Sequence, residues 1–198
     1  MKQILVFSIL VAGLLTSLGA QAAPNPYDRL PPVPSFTVTS SDVKDGVALA
    51  PAQMSGAFGV PGGKDLSPQL SWSNVPAGTK SFVVTMYDPD APTPSGFWHW
   101  VLVDVPATTT QLPTGAGAPD GKLLPPGAWQ LPNDARAPQF IGAAPPPGNG
   151  KHRYFIVVQA LDVATLKIPK DATPAFLSFN LLGHILGRAV IVPTAEQK

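Results

Sequence analysis

Two clusters of acidic and imidazole side chains stand out in this sequence, and they lie more than fifty residues apart. Asp88 and Asp90 occur in Asp-Pro-Asp-Ala-Pro, and His99 follows within Trp-His-Trp. His152 and Tyr154 belong to the second cluster, Gly-Asn-Gly-Lys-His-Arg-Tyr. Residues two apart project to the same side of an extended backbone, and a nearby carboxylate stabilises a protonated imidazole.

These are the side chains that a protein uses to hold a small anion. A protonated histidine donates hydrogen bonds from both ring nitrogens, and a Tyr hydroxyl and the backbone amides of a Gly-rich turn add further donors. We therefore expect phosphate or a carboxylate to bind in one cavity that both clusters line. This hypothesis requires the fold to bring His99 and His152 together with Asp88.

Each candidate also has a structural interpretation. The carboxylates of Asp88 and Asp90 are suited to capping the backbone amides of a stiff turn, and His99 and His152 could belong to the core and to a loop hydrogen-bond network. Arg153 falls within a buried strand, where a charge must be paired, and a carboxylate of the first cluster is a possible partner. For His184, on an apolar helix, the structural interpretation is favoured.

The elements around these clusters are predominantly β. Period-two alternation or continuous β-branched and aromatic runs predict strands at residues 36–39, 80–87, 98–105 and 153–161. The continuous runs indicate strands buried on both faces. Turns rich in Pro and Gly separate them, which is typical of an all-β sandwich or barrel-like core.

One helix is predicted near the C-terminus, from Pro174 to about Leu186. Leucine and isoleucine recur there at helical spacing, Thr173 is a suitable N-cap, and Gly187 is a candidate for its end. A last strand is expected at 189–192. Residues 112–147 are rich in Pro, Gly and Ala and predict a long ordered excursion, for which a functional role is favoured.

The N-terminal residues have the pattern of a cleaved signal peptide. Lys2 precedes an uncharged apolar stretch at 4–18, and Ala20-Gln21-Ala22 fits the small-x-small cleavage pattern. We expect a signal peptide at 1–22 cleaved after Ala22, a proline-rich leader at 23–34 and one domain at 35–194, in the periplasm or secreted. The apolar stretch is shorter than a membrane span requires, so no transmembrane anchor is expected after cleavage.

Composition excludes several function classes. The chain has no cysteine, so thiol nucleophiles and thiolate metal sites are ruled out. Loss of Lys2 would leave equal numbers of acidic and basic residues, and no basic stripe is present, which argues against nucleic acid as a partner. The spacing of histidines lacks a His-Glu-x-x-His pair, so no metal site and no cofactor are expected.

Together these motifs resemble the phosphatidylethanolamine-binding protein (PEBP) family, in particular its bacterial, Raf-kinase-inhibitor-like branch. The resemblance runs from about Phe36 to Val192 and rests on the Asp-Pro-Asp-Ala-Pro motif, the later His, and Pro-Pro-x-Gly-x-Gly-x-His-Arg-Tyr. Further similar stretches are Gly-Lys-Asp-Leu-Ser-Pro-Gln-Leu-Ser-Trp at 63–72 and Gly-Phe-Trp-His-Trp-Val at 96–101.

This resemblance implies a mainly β fold: a β-sandwich of a large antiparallel sheet and a smaller sheet, with a C-terminal helix and few flanking helices. It also implies a surface pocket for phosphate-type anions, lined by Asp88, His99, Pro146, His152 and Tyr154, with Asp90 in support. The sequence departs from bacterial relatives at 140–146, which lacks their Tyr and Cys, and at Gly187-Arg188, where a Glu is usual. Both differences alter the rim of the pocket.

The leading functional hypothesis is therefore an exported binding protein for a small anion, such as phosphate, a phosphomonoester or a lipid head group. No catalysis is expected, because no Gly-x-Ser-x-Gly nucleophile elbow is present. Two alternatives stay open. One is inhibition of a protease or another protein-interaction role, with the partner unknown, and the other is a hydrolase in which Asp88 orients His99.

Overall fold

The structure is a computed structural model that describes residues 24–198. Ten β-strands and one α-helix are formed within these residues. The predicted signal peptide at 1–22 lies outside the described residues. In chain order the elements are Thr37–Thr39 (β1), Leu70–Ser73 (β2), Ser81–Asp88 (β3), Phe97–Pro106 (β4), Gln111–Leu112 (β5), Trp129–Gln130 (β6), His152–Arg153 (β7), Phe155–Leu161 (β8), Pro174–Asn180 (α1), Ile185–Ile191 (β9) and Thr194–Ala195 (β10).

Three antiparallel sheets are formed from these strands. The largest has the order β6–β4–β3–β8–β9, a smaller one has the order β1–β2–β5, and β7 pairs with β10. The expectation of a large antiparallel sheet with a smaller one is confirmed. The four strands predicted from the alternation are also confirmed, with one difference: the run 153–161 is broken at Tyr154, which separates β7 from β8.

Burial on both faces explains why the central strands read as continuous apolar runs. Phe82, Val84 and Met86 of β3 pack into one cluster with Leu70 and Trp72 of the small sheet. On the opposite face of the sheet, side chains of β3 and β4 pack against α1 and the segment before it. This second cluster contains Val83, Val101 and Val103 of the strands together with Leu166, Leu177 and Leu181. Each such buried side chain contributes about 1.5–3 kcal/mol, so the sheet is stable without any disulfide.

The C-terminal helix is shorter than predicted. Thr173 is its N-cap, accepting a hydrogen bond from the Phe176 amide at 3.1 Å, and Pro174 occupies its first turn, as predicted. The helix ends at Asn180 rather than near Leu186, because Gly183 takes a left-handed conformation, with a φ of 87°. The prediction that Gly187 ends the helix is wrong, since this residue pairs with Ala160 inside β9.

The excursion at 112–147 is an ordered connection along the edge of the large sheet. It contributes β6, which pairs with β4, and the Gln130 side chain accepts a hydrogen bond from the buried Trp100 indole at 2.7 Å. Its last part, from Ile141 to Pro146, returns beneath the start of β4, where the Ile141 amide donates to the His99 carbonyl at 3.0 Å. The excursion therefore reaches the first of the two sequence clusters.

The residues before the sheets form a separate small unit. Residues 24–31 contain one 3₁₀ turn, Pro26–Arg29, capped by the Asn25 side chain. The larger unit begins at Pro32, and the Pro34 carbonyl accepts a hydrogen bond from the Arg188 amide of β9 at 2.9 Å. Within residues 24–198, no helix has the length and apolar character needed to cross a membrane.

Candidate functional site

A cavity of about 150 Å³ lies where β3 ends and β4 begins. Antiparallel pairing sets Asp88, the last residue of β3, opposite Phe97, the first residue of β4, while Tyr87 pairs with Phe155 at the start of β8. The chain before β8 carries His152, so both sequence clusters converge at this end of the sheet. The lining residues are Phe58, Asp88, Ala91, Pro92, Thr93, Phe97, His99, Ala144, Pro146 and His152.

Asp88 is the central carboxylate of this cavity. Its Oδ1 accepts hydrogen bonds from the amides of Asp90 at 2.8 Å and Ala91 at 3.0 Å, which closes the turn after β3. Its Oδ2 lies 2.8 Å from Nδ1 of His152. Asp88 therefore both caps the turn and lines the cavity, because Oδ1 accepts from the turn amides and Oδ2 contacts His152.

His152 is held at both ring nitrogens. Besides the Asp88 contact at Nδ1, its Nε2 lies 2.8 Å from Oδ1 of Asn149 in the Gly-rich turn. Because both partners are acceptor oxygens in this arrangement, a doubly protonated ring donates to both; a neutral ring requires the Asn149 amide to turn its NH₂ group inward. The ring is almost fully buried, so its orientation is set by these contacts.

His99 is anchored differently, by the backbone. Its Nδ1 lies 3.0 Å from the Ile141 carbonyl and 3.1 Å from the Gly142 carbonyl, so Nδ1 carries the hydrogen and Nε2 is left as an acceptor. Burial lowers the pKa of His99 to about 4, and the negative charge of Asp88 and the two carbonyl contacts only partly oppose this effect. The ring is therefore neutral at pH 7.

Gly142 is required for this anchoring. A Cβ atom at this position would lie 2.3 Å from the backbone carbon of Met54, so any larger residue would displace the carbonyls that hold His99. Asp65 fixes the same segment, because its Oδ1 accepts a hydrogen bond from the Gly142 amide at 2.8 Å and its Oδ2 accepts one from the Ala57 amide at 2.9 Å. Asp65 thereby ties the loop at 55–63 to the segment beneath His99.

Tyr154 lies behind His99 and not on the cavity wall. Its ring meets the imidazole edge-to-face with 5.3 Å between centroids, and the side chain is fully buried. Its hydroxyl has no hydrogen-bond partner of good geometry among residues 24–198. Burial, and then the charge of Asp88, raise the pKa of Tyr154. The expectation that it lines the pocket is therefore corrected: it supports the position of His99.

Asp90 also lies outside the cavity lining. Its carboxylate receives a forked ion pair from the Arg153 guanidinium, Nε to Oδ2 and Nη2 to Oδ1, each at 2.8 Å, and the Arg153 amide adds a third bond at 2.9 Å. Burial alone would raise the pKa of Asp90, but the bonds from Arg153 outweigh it and lower that pKa. The expected pairing of Arg153 with a carboxylate of the first cluster is thus present.

The apolar mouth of the cavity was missed by the sequence interpretation. Phe58 is half-exposed and meets Phe97 edge-to-face with 6.2 Å between ring centroids, while Pro92, Ala91 and Ala144 complete the wall. No periodicity marks Phe58, because it belongs to a loop. Asp65 lies within residues 63–72, one of the stretches that resemble the family, and this resemblance could have indicated that Asp65 has a role near the site.

Asp88 bonds His152 and not His99, so the dyad assumed for a hydrolase is absent among the hydrogen bonds of residues 24–198. Across the same residues no group of three acidic, histidine or cysteine side chains is suited to hold a metal ion.

Comparison with known proteins agrees with this geometry. The family model described as phosphatidylethanolamine-binding protein matches residues 39–196. The protein YbcL of Escherichia coli (strain K12) is 41% identical over 198 residues, covering all of both chains. A crystal structure of E. coli YbcL, described as a new member of the mammalian PEBP family, has a TM-score of 0.80 and 44% identity, and the match covers 83% of this chain and 99% of that one.

The chain belongs to the phosphatidylethanolamine-binding protein family. A more distant relative is LppC of Mycobacterium tuberculosis (strain ATCC 25618 / H37Rv), which is named as a lipoprotein and is 30% identical over 173 residues, or 85% of this chain and 78% of its own. The carboxypeptidase Y inhibitor, solved in complex with its cognate proteinase, shares the fold with a TM-score of 0.50 at 20% identity, and covers 83% of this chain and 85% of its own.

Proposed function

We propose that this protein is exported and binds a small phosphate-type or carboxylate anion in the cavity at the end of β3, without catalysis. The observation that carries the proposal is the arrangement of His99: two carbonyls bind Nδ1, and no partner within residues 24–198 binds Nε2 of this cavity-lining ring. Nε2 is therefore available to a ligand, next to the Asp88–His152 pair.

Binding at this site requires one hydrogen between Nε2 of His99 and the anion. A neutral His99 cannot donate from Nε2, and the Asp88 carboxylate repels a fully ionised ligand unless His152 is protonated. Either a ligand P–OH or COOH group donates to Nε2, or a solvent proton converts His99 to an imidazolium that donates to the anion. In the first route the hydrogen comes with the ligand, and in the second it comes from solvent; in both, the apolar walls strengthen the resulting hydrogen bond by excluding water.

Export is supported by the apolar stretch and Ala20-Gln21-Ala22 near the N-terminus, and by the lipoprotein name of one relative. The balanced charge supports a small-molecule ligand over nucleic acid. Binding without turnover is supported by the hydrogen bonds of the two histidines, because neither ring contacts a hydroxyl nucleophile among the bonds of residues 24–198.

The test is calorimetric titration with inorganic phosphate at about pH 5.5 and about pH 8, with melting temperature as a second readout. We expect tighter binding at the lower pH, because phosphate is mainly a monoanion there and is repelled less by the Asp88 carboxylate. His99→Asn retains a donor near the Nδ1 position but removes Nε2, so it should abolish phosphate binding. His184→Asn is the matched control, because His184 pairs with Asp162 outside the cavity.

Unchanged phosphate affinity in His99→Asn, or no binding by the wild-type protein at either pH, would refute the proposal. Incubation with p-nitrophenyl phosphate separates binding from catalysis. We expect no release of nitrophenol, whereas release that disappears in His99→Asn would establish the hydrolase alternative.

A further inference from the structure

The mouth of the cavity differs in chemistry from its floor. The polar groups, Asp88, His99 and His152, lie together, and six of the other seven lining residues are apolar; these are Phe58, Ala91, Pro92, Phe97, Ala144 and Pro146. Thr93 is the remaining polar residue, and its hydroxyl already donates to the Gly96 carbonyl at 2.6 Å. A ligand that binds the floor through its anionic group therefore places its next atoms against an apolar wall.

Rings dominate this wall. Phe58 packs edge-to-face on Phe97, Phe97 packs on His99 with 4.9 Å between centroids, and Pro92 and Pro146 provide flat apolar faces. Aromatic pairs of this kind are favoured beyond their buried area. A cavity of about 150 Å³ encloses about one benzene-sized molecule. An anionic group and one ring together are larger than this, so part of the ring must lie outside the cavity, against the outer face of Phe58.

Phe58 is presented by an ordered loop. The Phe58 amide donates to the Ser55 hydroxyl at 3.1 Å, the Val60 amide donates to the Ser55 carbonyl at 2.9 Å, and Asp65 holds the Ala57 amide. The side chain is nevertheless 51% exposed. An exposed aromatic ring on a fixed backbone at the edge of a binding cavity is a pre-organised contact for a ligand.

We infer that the ligand is a small aromatic acid, of the aryl phosphomonoester class, and that Phe58 determines this specificity by stacking on its ring. The inference rests on the proposed anion binding at His99. An ethanolamine ester fits this site less well, because its ammonium group, beyond the phosphate, would face the apolar wall of the mouth. Both oxygens of Asp88 are already engaged by the turn and by His152.

The test compares four ligands by calorimetry: inorganic phosphate, phenyl phosphate, cyclohexyl phosphate and O-phosphoethanolamine. We expect phenyl phosphate to bind about tenfold more tightly than inorganic phosphate, and more tightly than the other two esters. In Phe58→Ala this advantage should fall to within about threefold, because the affinity for phenyl phosphate decreases more than the affinity for inorganic phosphate. Phe179→Ala is the matched control, because Phe179 is 72% exposed on α1, outside the cavity.

The outcomes separate the two proposals. If inorganic phosphate binds and requires His99, but cyclohexyl phosphate or phosphoethanolamine binds as tightly as phenyl phosphate, the aromatic specificity is wrong and anion binding stands. Equal weakening of phosphate and phenyl phosphate in Phe58→Ala also overturns the role of Phe58. If none of the four ligands binds the wild-type protein, both proposals are wrong.

Discussion

The two aspartates of Asp-Pro-Asp connect the same pair of loops through different chemistry. On the inner side, Asp88 holds the buried ring of His152 beside the cavity; on the outer side, Asp90 holds Arg153, and both side chains keep about a quarter of their surface exposed. Arginine stays charged at any ordinary pH, whereas histidine titrates near neutrality. The outer pair therefore joins the two loops at the surface, whereas the inner pair joins them inside the cavity that His99 also lines.

The largest change in stability is expected when the Asp88–His152 pair is broken. In Asp88→Ala the turn loses the acceptor for two amides and the buried Nδ1 of His152 loses its hydrogen-bond partner, so we expect a loss of about 3–5 kcal/mol in the free energy of unfolding. Urea denaturation at neutral pH measures it. Asp88→Asn should lose less, because its amide oxygen still closes the turn, and an equal loss in both variants would mean that the turn contributes little.

A smaller effect concerns pH and His99. The unfolded chain protonates this ring near pH 6.5 and the folded chain near pH 4, so the unfolded state holds more protons between these values. The contribution of His99 to stability should therefore fall by about 3 kcal/mol as pH decreases from about 6.5 to 4, and this contribution should change no further below that. Urea denaturation across this range, for the wild-type protein and His99→Asn, should show a steeper dependence of stability on pH in the wild-type protein; parallel curves would contradict a buried neutral His99.

The outer pair gives the smallest effect. Asp90→Asn should cost about 1 kcal/mol, because the forked pair is partly exposed and screened by water. Phosphate affinity at about pH 5.5 should be unchanged, since Asp90 does not line the cavity. Asp120→Asn, in the exposed Asp120–Lys122 pair, is the matched control for removal of a surface carboxylate. Loss of phosphate binding in Asp90→Asn would show that the inner and outer sides act as one unit.

Much of the site was predictable because its motifs are local. Each candidate side chain belongs to a short motif: the Asp-Pro-Asp turn, the start of β4 or the Gly-rich turn. The family resemblance then predicted that these three motifs line one pocket. Placement within the pocket was less predictable. Asp90 and Tyr154 were assigned to the ligand site from their motifs, but the turn closed by Asp88 brings Asp90 to Arg153, and Tyr154 is buried behind His99.

The sequence by itself determined the β class, the strands buried on both faces and the candidate histidines, because these depend on residue type and on periodicity over short distances. Only the tertiary structure decided the role of each side chain. Carbonyls more than forty residues from His99 orient its ring, and a loop thirty residues before Asp88 brings Phe58 to the mouth of the cavity. Such contacts join segments that no local pattern connects, and burial at their meeting point sets the protonation state of the imidazole on which the proposed binding depends.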